Sequence, residues 1–374
     1  MSVEDIPPEA DRLDGAPHPR ETAELFGQAE AEAGFLTAFT SDRLHHAWLL
    51  TGPRGVGKAT LAWRMARFLL ATPPETGEAL FATPQPDNLD IPTDHPIARR
   101  LRALSEPGLM LLRRPWDQKT KRFKAQITVD EVRKLKDFFA LSASDGGRRV
   151  VIVDAADEMN TNAANALLKV LEEPPAKAIL LLVAHQPSRL LPTILSRCRR
   201  LRLTGLPEAD LSRALARAGV ETDSSGALAE LAEGSVGEAV RLADLDGLTL
   251  YADLVALFAS MPGMDRARAS KLAEAAGARG AEARFDLTLA LIDRLLSRLA
   301  RAGTTGTAPP DIVAGEGEML LRLAPDPAVA RGWADLAQGL TARARRGRAV
   351  NLDPAALILD MCLSLEKTAA RAPA

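Results

Sequence analysis

From His46 onward, short apolar runs alternate with amphipathic stretches. The runs Ala47 to Thr51, Gly108 to Leu112, Val150 to Asp154, Ile179 to Ala184 and Leu201 to Leu203 predict strands. They are apolar at successive positions rather than at every second one, the pattern of strands covered on both faces of a parallel sheet. Between them, Lys58 to Leu70 places Leu61, Met65, Phe68 and Leu69 on one helical face, and Thr128 to Ala140 opens with a Thr128/Glu131 capping box. Strand and helix alternate, which predicts an α/β domain.

After Leu203 the strand pattern stops. Glu208 to Gly219, Gly226 to Glu233 and Ser235 to Leu245 predict three short helices, and everything from about Leu248 reads as helical. There Leu289, Ile292, Leu296 and Leu299 form one stripe, and Asp353 followed by Pro354 starts a last helix. Residues 1–19 are rich in Pro, Ala, Asp and Glu without apolar period, which predicts a disordered tail. The expected divisions are a tail (1–19), an α/β domain (20–205), a small helical lid (206–247) and an all-α domain (248–374). Thr72 to Pro107, rich in Pro and weakly periodic, reads as an insertion or surface loop.

A chain of 374 residues is too long for one ordinary core, which agrees with several domains. Lys and Arg number 47 against 49 Asp and Glu, so bulk charge cannot bind nucleic acid and any such contact is local. Cys198 and Cys362 are too few for a disulfide framework or a four-thiolate zinc site, and read as packing residues in a reducing compartment. No apolar run approaches the roughly 18 residues of a membrane span, and Met1 to Asp14 lacks the layout of a signal peptide, so a cytoplasmic protein without membrane contact is expected. His45-His46 has no acidic or thiol ligand nearby in sequence and is assigned to packing or capping.

Gly52-Pro53-Arg54-Gly55-Val56-Gly57-Lys58-Ala59-Thr60 follows an apolar strand and opens an amphipathic helix, the setting of a phosphate-binding loop. Gly52, Gly55 and Gly57 let backbone N–H groups converge on phosphate oxygens, and the Lys58 ammonium reaches the β and γ phosphates. Ala59 stands where Ser or Thr would hold Mg²⁺, and Thr60 points about 100° further round the helix. ATP or ADP at a degenerate site is the expectation, with Mg²⁺ poorly provided for; a vestigial loop kept for its turn is the alternative. Val150 to Asp154 has the form of the second phosphate-site strand, whose carboxylate faces the metal, but the following acid that polarises water is replaced by Ala155.

Four motifs together resemble the clamp-loader branch of the AAA+ ATPases. They are the loop Gly52 to Thr60; Asp154-Ala155-Ala156-Asp157 with the run Asn162 to Pro175; Leu195-Ser196-Arg197-Cys198; and Gly234-Ser235-Val236-Gly237. The run ending Leu171-Glu172-Glu173-Pro174-Pro175 is the most specific of them, read as a helix with Ala164, Leu167, Leu168 and Leu171 inward. The resemblance implies an α/β P-loop domain with a parallel sheet, a helical lid and a helical collar that assembles into a ring of five subunits. It also implies that Arg197 completes the nucleotide site of a neighbouring subunit, in trans. Ala184-His185 and Gly237 stand where the two sensors of an active member lie, so the resemblance is to a subunit that no longer turns over nucleotide.

Many members carry four cysteines between the loop helix and the second motif strand; Thr72 to Ile127 has none, so no zinc is expected. The implied partners are gamma/tau-type and delta-type loader subunits and, through the complex, the sliding clamp and primed DNA. Arg113 to Lys124 forms a basic stretch, readable as a solvated hairpin or as a contact to phosphates. Two rival readings remain: a hydrolysing motor subunit of the same machine, permitted by Lys58 and Asp154, and an independent P-loop kinase or transferase.

Overall fold

A computed structural model describes residues 8–41, 43–72, 85–140, 147–222 and 224–371. The chain divides into two compact units, 1–219 with 234–238, and 220–233 with 239–374. The first begins with α1 (Ala29–Thr40), β1 (Ala47–Thr51), α2 (Lys58–Ala71), α3 (Pro96–Arg102) and β2 (Leu109–Arg113). A two-residue ladder of β3 (Trp116–Asp117) and β4 (Arg122–Phe123) leads to α4 (Val129–Ala140), β5 (Arg149–Asp154), α5 (Thr161–Glu172) and β6 (Ala178–Ala184). The one-turn α6 (Pro192–Leu195), β7 (Arg199–Arg202) and α7 (Glu208–Arg217) complete it.

Five strands form one parallel sheet in the order β2-β5-β6-β1-β7. β6 is buried at every position, as its unbroken apolar sequence requires in the middle of a covered sheet. β7 starts at Arg199 rather than at the predicted Leu201, because an edge strand needs little apolar sequence: only Leu201 is buried, and the Arg199 guanidinium lies 5.0 Å over the Trp48 ring. α5 is capped by Asn160, whose side chain accepts from Ala163 N at 2.8 Å. It buries Ala163, Ala164, Leu167 and Leu171, while Leu168 is half-buried. α3 lies inside the stretch expected to be a loop, its start capped by His95 and its Ala98 and Leu101 buried. Residues 73–84 of that stretch lie outside those described.

The expected disordered tail is corrected for residues 8–19; residues 1–7 lie outside those described. His18 is fully buried, edge-on to Trp63 at 6.1 Å. Glu9 binds Arg20 at 2.6 Å and Arg113 at 3.1 Å, and Asp11 pairs with Arg113 and lies 3.3 Å from His18. Arg67 donates to Arg20 O at 2.9 Å, and Arg64 to Ala23 O and to Glu32 at 2.7 Å. The segment covers the face of α2 opposite the sheet, so Trp63, Arg64 and Arg67 are buried along with the predicted apolar stripe. Charge pairing, invisible to hydrophobic period, orders these residues.

The second unit contains α8 (Ser225–Leu231), most of α9 (Val236–Asp244), α10 (Gly247–Ala259), α11 (Arg266–Gly277), α12 (Glu282–Thr305), α13 (Glu316–Leu323), α14 (Pro327–Ala349) and α15 (Pro354–Ala369). The predicted stripe on α12 is fully buried, and Asp353 caps α15 by accepting from Ala356 N at 3.0 Å. Glu316, wholly buried, accepts from Tyr251 at 2.6 Å and from Arg298 at 2.7 Å. Arg298 also reaches Glu230 of α8 at 2.8 Å. Residues 206–247, expected as a separate lid, are therefore shared between the two units: α7 belongs to the first and α8 to the second.

Candidate functional site

The phosphate loop leaves β1 and enters α2 as the sequence predicts. Gly52, Gly55 and Gly57 have φ of 143°, 78° and 100°, a region that L side chains rarely adopt. At Gly52 and Gly55 space decides as well: a Cβ would lie 2.2 Å from Leu203 O and 2.3 Å from Ser235 Oγ respectively. Gln28, which the sequence reading passed over, donates to Val56 O at 3.2 Å and to Thr204 O at 2.8 Å, tying the loop to the chain beyond β7.

Lys58 is buried and donates to Gly52 O at 2.7 Å and to Pro53 O. Burial pulls its ammonium down to about 8, against the opposing pull of Asp154 and Asp157. Asp154 ends β5, and burial pushes its carboxyl up to about 7, reinforced by Asp11 and Glu158 and opposed by Lys58 and Arg54. Ala155, beside it, is buried and offers no acid. The sheet register sets Arg113 opposite Asp154, which brings the Glu9/Asp11 segment to this edge of the site.

Asp157 accepts from the backbone N–H of His185 at 3.0 Å and of Gln186 at 2.9 Å, fixing the end of β6 against the turn after β5. Asp157 is the last residue of the Asp154-Ala155-Ala156-Asp157 motif. His185, at the first sensor position, is driven down to about 4 by burial, then by Lys58, with Asp157 opposing. It is therefore a neutral imidazole near pH 7. At the second sensor position, Gly237 N donates to Gly55 O at 3.1 Å, and Ser235 Oγ donates to Arg54 O at 2.8 Å. A Cβ at Gly237 would stand 3.0 Å from Gly55 Cα and 3.5 Å from Leu13 Cδ2. Backbone lies against backbone there.

The donor set fits phosphate: a glycine loop at a helix N-terminus with a lysine at its mouth. It does not fit magnesium in the usual way. Ala59, half-buried at the metal position, has no hydroxyl, and Thr60 lies one residue further along α2. Among the described residues, no group of three or more His, Cys, Asp or Glu is arranged to hold a metal ion.

Arg197 lies apart from this cluster. It follows α6, is partly exposed, and pairs with Glu172 at 3.0 Å while donating to Thr193 O at 3.1 Å. Cys198 and Cys362 are free thiols pushed up to about 12 and about 11 by burial, in keeping with packing roles. His46 bonds Leu171 O at 3.1 Å, and His45 bonds Ala47 O at 2.9 Å, which again is packing and capping.

Residues 27–207 match the family model described as DNA polymerase III, delta subunit. Over that stretch, just under half of its length, the chain is similar to the DNA polymerase III delta-subunit family. DNA polymerase III subunit delta' of Pseudomonas aeruginosa is 42% identical over 153 residues, 41% of each chain. Subunit delta' of Bacillus subtilis is 32% identical over 207 residues, 55% of this chain and 56% of that one. DNA polymerase III subunit tau/gamma of Haemophilus influenzae is 29% identical over 233 residues, 60% of this chain and 31% of that one. The chain thus matches between about a third and just over half the length of these relatives. A DNA polymerase III gamma subunit-related protein of Thermotoga maritima has a solved structure similar at a TM-score of 0.43 and 18% identity, over 90% of this chain and 99% of that one. The family stretch runs from Gly27 to Pro207 and holds the phosphate loop, Asp154, Asp157, His185 and Arg197. No helix among the described residues is long and apolar enough to cross a membrane.

Proposed function

We propose that this chain is the delta-prime-type subunit of a bacterial DNA polymerase III clamp loader, a largely non-hydrolysing stator in the cytoplasm. The observation that carries the reading is the contact of Gly237 with Gly55 beside an otherwise well-formed phosphate loop. The lid segment reaches the loop with backbone alone, where a hydrolysing member brings an arginine to the γ phosphate. The water-polarising acid is replaced by Ala155, the metal hydroxyl by Ala59, and the first sensor by a neutral His185. Gly52, Gly55, Gly57 and Lys58, with Ala59 and Thr60 at the start of α2, are the residues that would hold the phosphates of ATP or ADP. The nucleotide is then a structural ligand, with Asp154 at the edge of its pocket.

In this reading Arg197 acts on a neighbour. A guanidinium placed at another subunit's γ phosphate stabilises charge that develops in the transition state, worth roughly 10³ to 10⁵ in rate in related phosphoryl transfers. The partners are gamma/tau-type and delta-type subunits, joined through the helices after about residue 248, and the assembled machine opens the sliding clamp and loads it on primed DNA.

The test is ATP turnover by the isolated chain and by the reconstituted loader. Negligible turnover alone, with normal turnover in the complex, supports the stator. Turnover by the isolated chain that Lys58→Ala abolishes would make it a motor subunit instead.

A further inference from the structure

We propose that the β3–β4 hairpin is a nucleic-acid contact of this chain, binding phosphate backbone through Lys119, Lys121, Arg122 and Lys124. The choice of nucleic acid rests on the clamp-loader reading, whereas the cationic site itself does not. The hairpin leaves β2 at the sheet edge from which the Asp154 end of β5 also emerges. Its pairing sets Trp116 opposite Phe123, the rings edge-on at 5.0 Å, with the Arg114 guanidinium 5.8 Å from the Phe123 ring. Lys124 N donates to Pro115 O at 2.9 Å, closing its base.

The hairpin's charges divide sharply. At its base, Arg113 is neutralised by Glu9 and Asp11, and Arg114 binds Glu158 at 2.7 Å. At its tip, Lys119, Lys121, Arg122 and Lys124 are all exposed, and none makes an ion pair among the described residues. The single carboxylate between them, Asp117, turns inward on the chain: it accepts from Lys119 N at 2.8 Å and from Thr120 N at 3.1 Å. Those backbone bonds are the main reason its carboxyl sits below the usual range. Asp117 thus shapes the turn and leaves four cations within six residues, on a chain whose formal charge is -2. A stiff, locally basic finger on a near-neutral protein is suited to a polyanion met at one place, and counterion release gives such a contact its strength. Trp116 is half-buried, whereas Trp48, Trp63 and Trp333 are fully enclosed, so quenching of tryptophan emission reports on this hairpin.

The full chain is titrated with a single-stranded oligonucleotide, a duplex and poly-glutamate between about 50 and 200 mM salt. Replacing Lys119, Lys121, Arg122 and Lys124 together by Ala is expected to weaken oligonucleotide binding at least tenfold and to lower the slope of log K against log salt by about 3, at about 0.7 to 0.9 per phosphate neutralised. The charge-preserving set K119R, K121R, R122K and K124R is expected to keep both. An unchanged slope in the alanine variant overturns the proposal. So does poly-glutamate bound as tightly as the oligonucleotide, which would make the partner an acidic protein. Assembly with loader subunits is measured on the same variants; a defect there would make the hairpin a subunit contact and also overturn the proposal. If the wild-type chain fails to assemble yet shows the salt-dependent binding, the clamp-loader reading fails while the hairpin site stands.

Discussion

Arg197 Nη2 lies 3.0 Å from Glu172 Oε1, so the arginine of the Ser-Arg-Cys motif is held by the last residue of α5, the helix that carries the longest motif. Both side chains are partly exposed, and an ion pair of this kind contributes roughly 0 to 1 kcal/mol. Its contribution to stability is therefore small. Arg197→Ala and Glu172→Ala should both melt within a few degrees of the wild type and assemble normally. Only Arg197→Ala should cut the DNA-stimulated ATPase of the whole loader, and only partly, since one adjoining site loses its arginine. Thermal melts, sizing and turnover on the two variants check this; equal turnover in both would make Arg197 surface charge.

The pair Asp154 and Lys58 gives stability a distinctive pH dependence. Asp154 titrates near 7 in the folded chain against about 3.8 unfolded, so the folded state holds the extra proton and stability falls as pH rises from 4 to 7. Lys58 titrates near 8 against 10.5 unfolded; here the unfolded state holds the extra proton, and stability climbs from pH 8 to 10.5. Asp154→Asn should therefore raise the melting temperature at pH 8, by an amount equivalent to roughly 1 to 3 kcal/mol. Near pH 3.5 it should change little. Melts of the variant across pH 3.5 to 9 test both halves of the curve.

Gly237 lies tight against Gly55, so that a side chain there would press on the phosphate loop. Gly237→Ala brings a methyl to 3.0 Å from Gly55 Cα, and should destabilise by about 1 to 3 kcal/mol. Ala59→Ser, which restores the missing hydroxyl, should leave ATP turnover at background because Ala155 and Gly237 remain. Turnover appearing in Ala59→Ser alone would show that the hydroxyl was the single missing part.

In the second unit, the wholly buried Glu316 pairs with Arg298 and accepts a hydrogen bond from Tyr251. Tyr251→Phe should cost about 1 kcal/mol. Arg298→Met strands the carboxylate and frees Glu230, and should cost about 3 to 5 kcal/mol. Denaturant unfolding distinguishes the two, and near-equal costs would mean that water already serves Glu316.

The sheet could be read from the sequence because its central strands are unbroken apolar runs, and the phosphate loop because its glycines precede a helix. What could not be read was held by polar contacts between distant residues. Asp11 and Glu9 meet Arg113 across separations of 102 and 104 residues, Gln28 meets Thr204 across 176, and Asp157 finds its amides 28 and 29 positions on. α3 escaped because Arg99, Arg100 and Arg102 fill a seven-residue helix with only two buried positions. The departures at Ala59, Ala155, His185 and Gly237 were visible as residue types, but the close approach of Gly237 to Gly55 joins backbones far apart in sequence and leaves no mark in it.

The N-terminal segment has a consequence for the order in which the molecule is made. Residues 9–20 leave the ribosome well before the arginine that clamps them, Arg113, which emerges about a hundred positions later from a strand that itself waits for β5. Contacts so distant in sequence carry a large closure cost and form late. Until they do, Trp63, Arg64 and Arg67 stand uncovered on the back of α2, and the growing chain carries an open face beside its phosphate loop. An early segment of this unit is thus clamped only by residues that emerge about a hundred positions later.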